Sequence, residues 1–182
     1  QAFPQGLRMI VGSPMATTPQ FGVSFTCAVT NDPGTQSNLG DTFRTCASNE
    51  TLILNLLFPD CWDGVHLDSA DHKSHMAYSG GSASTCPADH PVKLPQLTLE
   101  VWYNGVNGPA SSFRVASGNA YTFHGDVLSA WDPHAFAGLV DNCLNQSAID
   151  CNPLRFDNIS MAGVTQAQID AQLRIGASAP PS

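Results

Sequence analysis

The sequence predicts a mainly β, antiparallel, sandwich-like fold with long loops and a few short helices, stapled by disulfides. Three observations predict it. Short segments of alternating or continuous apolar residues recur between Gly, Pro and Asn turn signals, the spacing of strands joined by loops. Only two stretches carry helical spacing. Six cysteines in 182 residues, an even number, fit a disulfide framework formed in an oxidising compartment.

Taken in order, Leu7–Val11 and Gly22–Val29 are β-rich, separated by turn signals at Gly12–Pro14 and Thr18–Gln20. Asn31–Gly40 reads as a loop. Leu52–Phe58 (LILNLLF) is a continuous apolar run whose length and following Pro59 favour a buried strand. Asp60–Ser84 follows neither period and is long for a loop inside a compact domain, which marks it as functional. Leu94–Tyr103 contains the clearest alternation, with Leu97, Leu99, Val101 and Tyr103 against Thr98, Glu100 and Trp102. Asn104–Gly105 and Asn107–Gly108 make turns. Ser112–Ala116 and Asn119–Phe123 read as two further strands. Leu128–Leu144 has helical spacing, with Pro133 placing the start there and Asp132 as N-cap. Thr165–Ile175 reads as a second short helix capped by Thr165 and ended by Gly176. Residues 1–150 are expected to be one secreted domain, and 151–182 an extension with a short helix and a flexible tail.

Lys plus Arg number 7 against 15 Asp plus Glu, a net charge of −8. Nucleic acid and anionic membrane are excluded as partners, because phosphate contacts need a basic face. The longest apolar run, Leu52–Phe58, is too short to span a bilayer. Short-range pairing of the cysteines gives Cys27–Cys46, Cys61–Cys86 and Cys143–Cys151, each loop contributing about 2–4 kcal/mol. Sequons at Asn49, Asn145 and Asn158 add to a secreted, extracellular glycoprotein reading.

The titratable chemistry concentrates in Phe58–Tyr78, FPDCWDGVHLDSADHKSHMAY. Asp71, His72 and His75 form an Asp-His-x-x-His group that can place two imidazoles and a carboxylate on one side of a turn. Such a set suits a divalent metal, zinc, manganese or iron, or lets a carboxylate fix a histidine tautomer. The bland alternative is a pair of surface histidines bonded to loop backbone. His124-Gly125-Asp126 can complete the set, with His124 as third metal ligand or general base and Asp126 as its orienting carboxylate. There the glycine lets the backbone approach a ligand closely; the segment can equally be a plain β-turn with an Asx hydrogen bond. His90 reads as a strand entry before Pro91; His66 and His134 read as surface residues. Asp60, Asp63 and Asp68 can be paired carboxylates for glycoside hydrolysis, calcium ligands or turn formers. Trp62, Trp102, Tyr78 and Tyr103 can stack on sugar rings, although core packing is the ordinary role, and for Trp102 the favoured one. No nucleophile elbow, P-loop or dinucleotide fingerprint occurs.

FPDCWDG, LDSADHKSHMAY, CPADHPVKLPQL and HGD, with the earlier FPQGLRMIVG and VSFTC, resemble a secreted, mainly fungal family, domain of unknown function number nineteen ninety-six. The likeness covers Phe3–Leu144. It implies an extracellular protein, and because some members carry carbohydrate-binding or cell-wall modules, a glycan or cell-wall polymer as partner. Family members carry further residues before this point, including a His-x-His element. The chain is therefore expected to be a processed fragment or a short member. In either case the N-terminal piece of the same precursor, or further copies of the chain, should pack against the interior-looking strand Leu7–Val11.

Two functions follow. One is a glycan-active enzyme, lyase or hydrolase, with His72, His75 and His124 at its centre and Asp71 or Asp126 orienting a ring. The other is a non-catalytic extracellular structural, matrix or filament protein whose His/Asp loop is a brace or a metal site.

Overall fold

The computed structural model describes residues 1–29, 37–80, 84–106 and 108–145. The described residues are mainly antiparallel β with one short α-helix and 3₁₀ turns. Two compact units are present, Gly6–Ser129, and Gln1–Gln5 with the chain from Ala130 onward. The expected extension 151–182, with its helix, lies outside the described residues.

Among the described residues of the larger unit, nine strands form three sheets. They are β1 (Arg8–Gly12), β2 (Val23–Val29), β3 (Ser37–Gly40), β4 (Glu50–Leu57), β5 (Cys61–Trp62), β6 (Met76–Ala77), β7 (Val92–Lys93), β8 (Thr98–Asn104) and β9 (His124–Leu128). The largest sheet has the order β3-β2-β4-β8. β2 and β4 pair in unbroken register from Val23↔Leu56 to Val29↔Glu50. The apolar run expected as a strand is β4, buried on both faces, which is why it reads as continuous rather than alternating. Its Leu52, Leu54 and Leu56 share a face with Phe25, itself ringed by Phe43 at 4.6 Å and Phe123 at 6.0 Å between centroids. Burying Phe25 completely contributes roughly 2–3 kcal/mol.

The ribbon β1–β9 lies against that sheet. Leu7, Met9 and Val11 turn inward and are buried, whereas Arg8 is exposed. The HGD motif is part of β9, not a turn, with His124↔Gly12, Gly125↔Val11 and Asp126↔Ile10. Gly125 serves packing rather than ligand access: a Cβ there would sit 2.5 Å from Leu56 Cδ1. The two strands expected at Ser112–Ala116 and Asn119–Phe123 are absent. Those segments hold 3₁₀ turns at Ala110–Ser112 and Ala120–Thr122. Local bonds won there: the Asn119 side chain accepts from Tyr121 N at 3.0 Å, and Ser112 Oγ donates to the Pro109 carbonyl at 2.7 Å.

The third sheet, β6-β5-β7, closes the base of the long loop. Cys61 sits opposite both Ala77 and Lys93 and is bonded to Cys86. Cys27–Cys46 also forms as expected. Among the described residues no cysteine is free; the expected partner of Cys143, Cys151, lies outside them.

In the smaller unit, helix α1 (Pro133–Leu139) starts with Asp132 Oδ1 accepting from Ala135 N at 2.8 Å, and continues as a π-helical turn over Val140–Leu144. Phe136 packs between Phe3 (5.3 Å) and Trp131 (5.4 Å).

Candidate functional site

The loop from Asp63 to His75 is pinned at its ends by the Asp63 N–H donating to the His75 carbonyl at 3.1 Å. It then runs beside β1. Arg8 N donates to Leu67 O (2.8 Å) and Ile10 N to His72 O (3.0 Å). β1 therefore has β9 on one edge and this loop on the other. The reason for expecting a second polypeptide against Leu7–Val11 disappears, because both edges are filled from within the chain.

Polar side chains of the loop order it, since little of it can be ordered by apolar burial. Asp71 Oδ1 accepts from the N–H groups of Lys73 (3.0 Å) and Ser74 (2.9 Å) and from the hydroxyls of Ser69 (2.8 Å) and Ser74 (3.0 Å). Those backbone donors hold its pKa far below the carboxylate range. Asp71 is thus the internal cap of the loop. His75 is buried, with Nε2 donating to the Arg8 carbonyl at 2.7 Å and Nδ1 2.8 Å from Ser69 Oγ. Both nitrogens being engaged, it ties the loop to β1.

His72 differs. Its ring is about a third exposed, its backbone is left-handed at φ 56°, and Nδ1 lies 2.6 Å from Asp68 Oδ1. Asp68 also faces Arg8 at 3.4 Å. The bond from His72, against a desolvation that works the other way, lowers the Asp68 pKa. Since a carboxylate accepts, Nδ1 is the donor of this bond. The orienting carboxylate is Asp68, not Asp71.

His124 and Asp126 stand on the same face of the ribbon as Arg8 and Ile10, because directly paired antiparallel residues point the same way. His124 is half-buried and its Nδ1 donates to the Thr122 carbonyl at 2.9 Å; Asp126 is exposed. The fold therefore gathers Arg8, Asp68, His72, His124 and Asp126 around the outside of β1. It does not bring His72, His75 and His124 together as metal ligands. Among the described residues, the one group of three ligand-type atoms within 4.8 Å of one another is Cys27, Cys46 and Glu50. Its two sulfurs form a disulfide and cannot ligate as thiolates.

The other carboxylates are committed as well. Asp60 is buried, ion-paired to Lys93, and accepts from Ser79 N and Oγ, both at 2.8 Å. Burial would raise its pKa, but Lys93 and Ser79 hold it down. Asp63 accepts from Val65 N, His66 N and the His66 ring. Those bonds outweigh desolvation and lower its pKa to about 2. His66, read from sequence as a plain surface residue, is therefore half of a second Asp–His pair. His90 is more than a strand entry. Its Nε2 donates to the Ser74 carbonyl at 3.1 Å, and Asp89 lies 3.1 Å from Nδ1. Burial opposes its charged form, yet Asp89, Ser74 and Asp63 raise its pKa. The Asp–His pairs had a sequence signal in their three- and four-residue spacing, i to i+3 and i to i+4. Arg8, distant in sequence, had none.

Next to the loop, a cleft of ≈ 220 Å³ is lined by Ile10, Val11, Gly12, Gln20, Phe21, Pro59, Lys73, Met76 and Tyr78. Phe21 is 74% exposed and meets Tyr78 edge-on at 4.5 Å. The Tyr78 hydroxyl donates to the Leu57 carbonyl (2.8 Å), and burial with the nearby Asp60 charge lifts its pKa to about 12, so it stays neutral. Trp62 is half-buried and bonded to the loop, its Nε1 donating to the His66 carbonyl at 2.6 Å. Trp102 is not a core residue: it is 41% exposed on β8, at the end of the sheet order.

A family model described as Domain of unknown function (DUF1996) matches residues 1–131. No curated protein and no solved structure matches the chain.

Proposed function

The chain belongs to the DUF1996 family, whose description assigns no activity, and we propose from the geometry that it is an extracellular protein that holds a glycan chain without cleaving it. The carrying observation is the contrast between loop and cleft. Asp60, Asp63, Asp71 and His75, the loop's acidic and basic candidates, are committed to internal bonds. The adjoining cleft offers an exposed aromatic edge, an amide and an ammonium, and neither carboxylate nor imidazole lines it. Aromatic shelves with a few polar groups hold sugar rings, and the Lys73 ammonium and Tyr78 hydroxyl that line this one donate to the Gly12 and Leu57 carbonyls. The disulfides, the sequons and the acidic surface support the extracellular setting. No helix among the described residues is long and apolar enough to cross a membrane.

Retention on insoluble or gel-embedded polysaccharides tests the proposal. Cellulose, chitin, mixed-linkage glucan, mannan and pectin serve as the panel. Phe21→Ala removes an exposed ring at little cost to folding and should abolish retention. Failure to bind any polymer, or unchanged retention of the variant, would overturn the binding role.

One observation favours a second reading. Asp68 and His72 form a bonded, part-exposed dyad on a left-handed residue, a backbone state that clusters at functional sites. His72 is then a general base for glycan cleavage. In that case new chain ends appear on incubation with the panel, and both Asp68→Asn and His72→Asn suppress them. Absence of new ends across the panel removes this reading and leaves the binding role.

A further inference from the structure

We infer that the cleft beside the loop selects an acidic sugar, a hexuronate unit within a longer chain, with Lys73 taking its carboxylate. This rests on the glycan-holding role proposed above and names its ligand class.

Lys73 is fixed at both ends. Its backbone N–H donates to Asp71 Oδ1 (3.0 Å) and Ser69 Oγ (3.1 Å). Its ammonium donates to the Gly12 carbonyl. An ammonium has three donors, so two remain for a ligand. Among the described residues, no carboxylate lies within ion-pair distance of it, whereas Arg8 is paired with Asp68 and Lys93 with Asp60. In a protein of net charge −8, a half-buried cation left with a neutral carbonyl and lining a cleft is a site in need of an anion. The loop's internal bonds acquire a purpose: Asp71, Ser69 and His75 hold rigid the one residue of DHKSH that reaches the cleft.

The rest of the lining fits a pyranose. The Phe21 and Tyr78 rings make an apolar corner for the ring's C–H face. Gln20 Nε2 is turned toward the Thr18 and Pro19 carbonyls (3.2 and 3.3 Å), leaving its oxygen to accept from a sugar hydroxyl. The corner depends on Gly22, at φ 81°, where a Cβ would stand 2.5 Å from the Tyr78 hydroxyl. At ≈ 220 Å³ the cleft is smaller than the about 300–1,000 Å³ of whole-ligand pockets, which suits one ring of a polymer.

The experiment compares polygalacturonate with the same polymer fully methyl-esterified, by affinity electrophoresis at low and high salt. The native protein should bind the acid form about tenfold more tightly, as expected for one charge-assisted bond, and lose that advantage in high salt. Lys73→Gln should erase the difference while keeping binding to the ester, and Phe21→Ala should weaken both. Equal binding of acid and ester by the native protein overturns the acidic-sugar inference and leaves glycan holding intact. So does a Lys73→Gln variant that keeps the preference. Binding to neither form, nor to any polymer of the wider panel, overturns both.

Discussion

Replacing His75 with alanine should be costly, although the same change in most histidines is mild. The ring is 2% exposed and bonds through both nitrogens, to the Arg8 carbonyl at 2.7 Å and Ser69 Oγ at 2.8 Å. Two lost hydrogen bonds at about 1 kcal/mol each, together with a ring-sized void beside an orphaned carbonyl, sum to about 3 kcal/mol. For a chain of this length that lowers the melting temperature by roughly 6–12 °C. The control is His72→Asn. Asparagine tolerates the left-handed backbone at φ 56°, and an exposed pair with Asp68 contributes less than about 1 kcal/mol. Circular dichroism melts and urea titrations under oxidising conditions measure both. A loss below about 1 kcal/mol for His75→Ala would refute the bracing role. So would a His72 variant as damaged as the His75 one, since the two rings would then not differ as their surroundings require.

Three further outcomes are expected. The paired change Cys61→Ala with Cys86→Ala opens a loop of sequence separation 25 and should cost about 3.5 kcal/mol in the chain-entropy model; non-reduced peptide mapping should first show the Cys61–Cys86 peptide. Acid should unfold the protein through its capping carboxylates. Asp63 and Asp71 have folded pKa values below their unfolded ones, near 2 for Asp63, so their stabilisation is complete above pH about 4 and is lost as pH falls through the folded values. The urea midpoint should therefore drop below pH 4, and Asp71→Asn should flatten that drop; an unchanged slope would show that the caps do not govern it. Asn49, exposed in the turn before β4, should carry glycan after eukaryotic secretion, read as a mass shift on glycosidase treatment that Asn49→Gln reduces.

The sequence by itself determined what is local. Alternation and the LILNLLF run marked the strands because a strand's side chains report their own burial through period two or continuous apolarity. Cysteine spacing marked the Cys27–Cys46 and Cys61–Cys86 pairs, because short loops close most readily. Asp132 and Pro133 marked the start of α1, because capping is settled within one turn. Tertiary structure decided what each polar side chain of the long loop does. Asp71 and Asp68 are three residues apart and alike in chemistry. One became a backbone cap and the other the partner of His72, because only the fold sets Arg8 beside Asp68. His72 and His75 share a motif, yet β1 buried one and left the other facing outward. Gly125 looked like an opening for a ligand until Leu56, nearly seventy residues earlier, filled the space above it. The two missing strands failed for the converse reason: the Asn119 and Ser112 side chains bonded the backbone of their own turns. Lys73 carries no signal in sequence beyond its charge. Its place in the cleft follows from the Gly12 carbonyl, which arrives from sixty-one residues away in the chain.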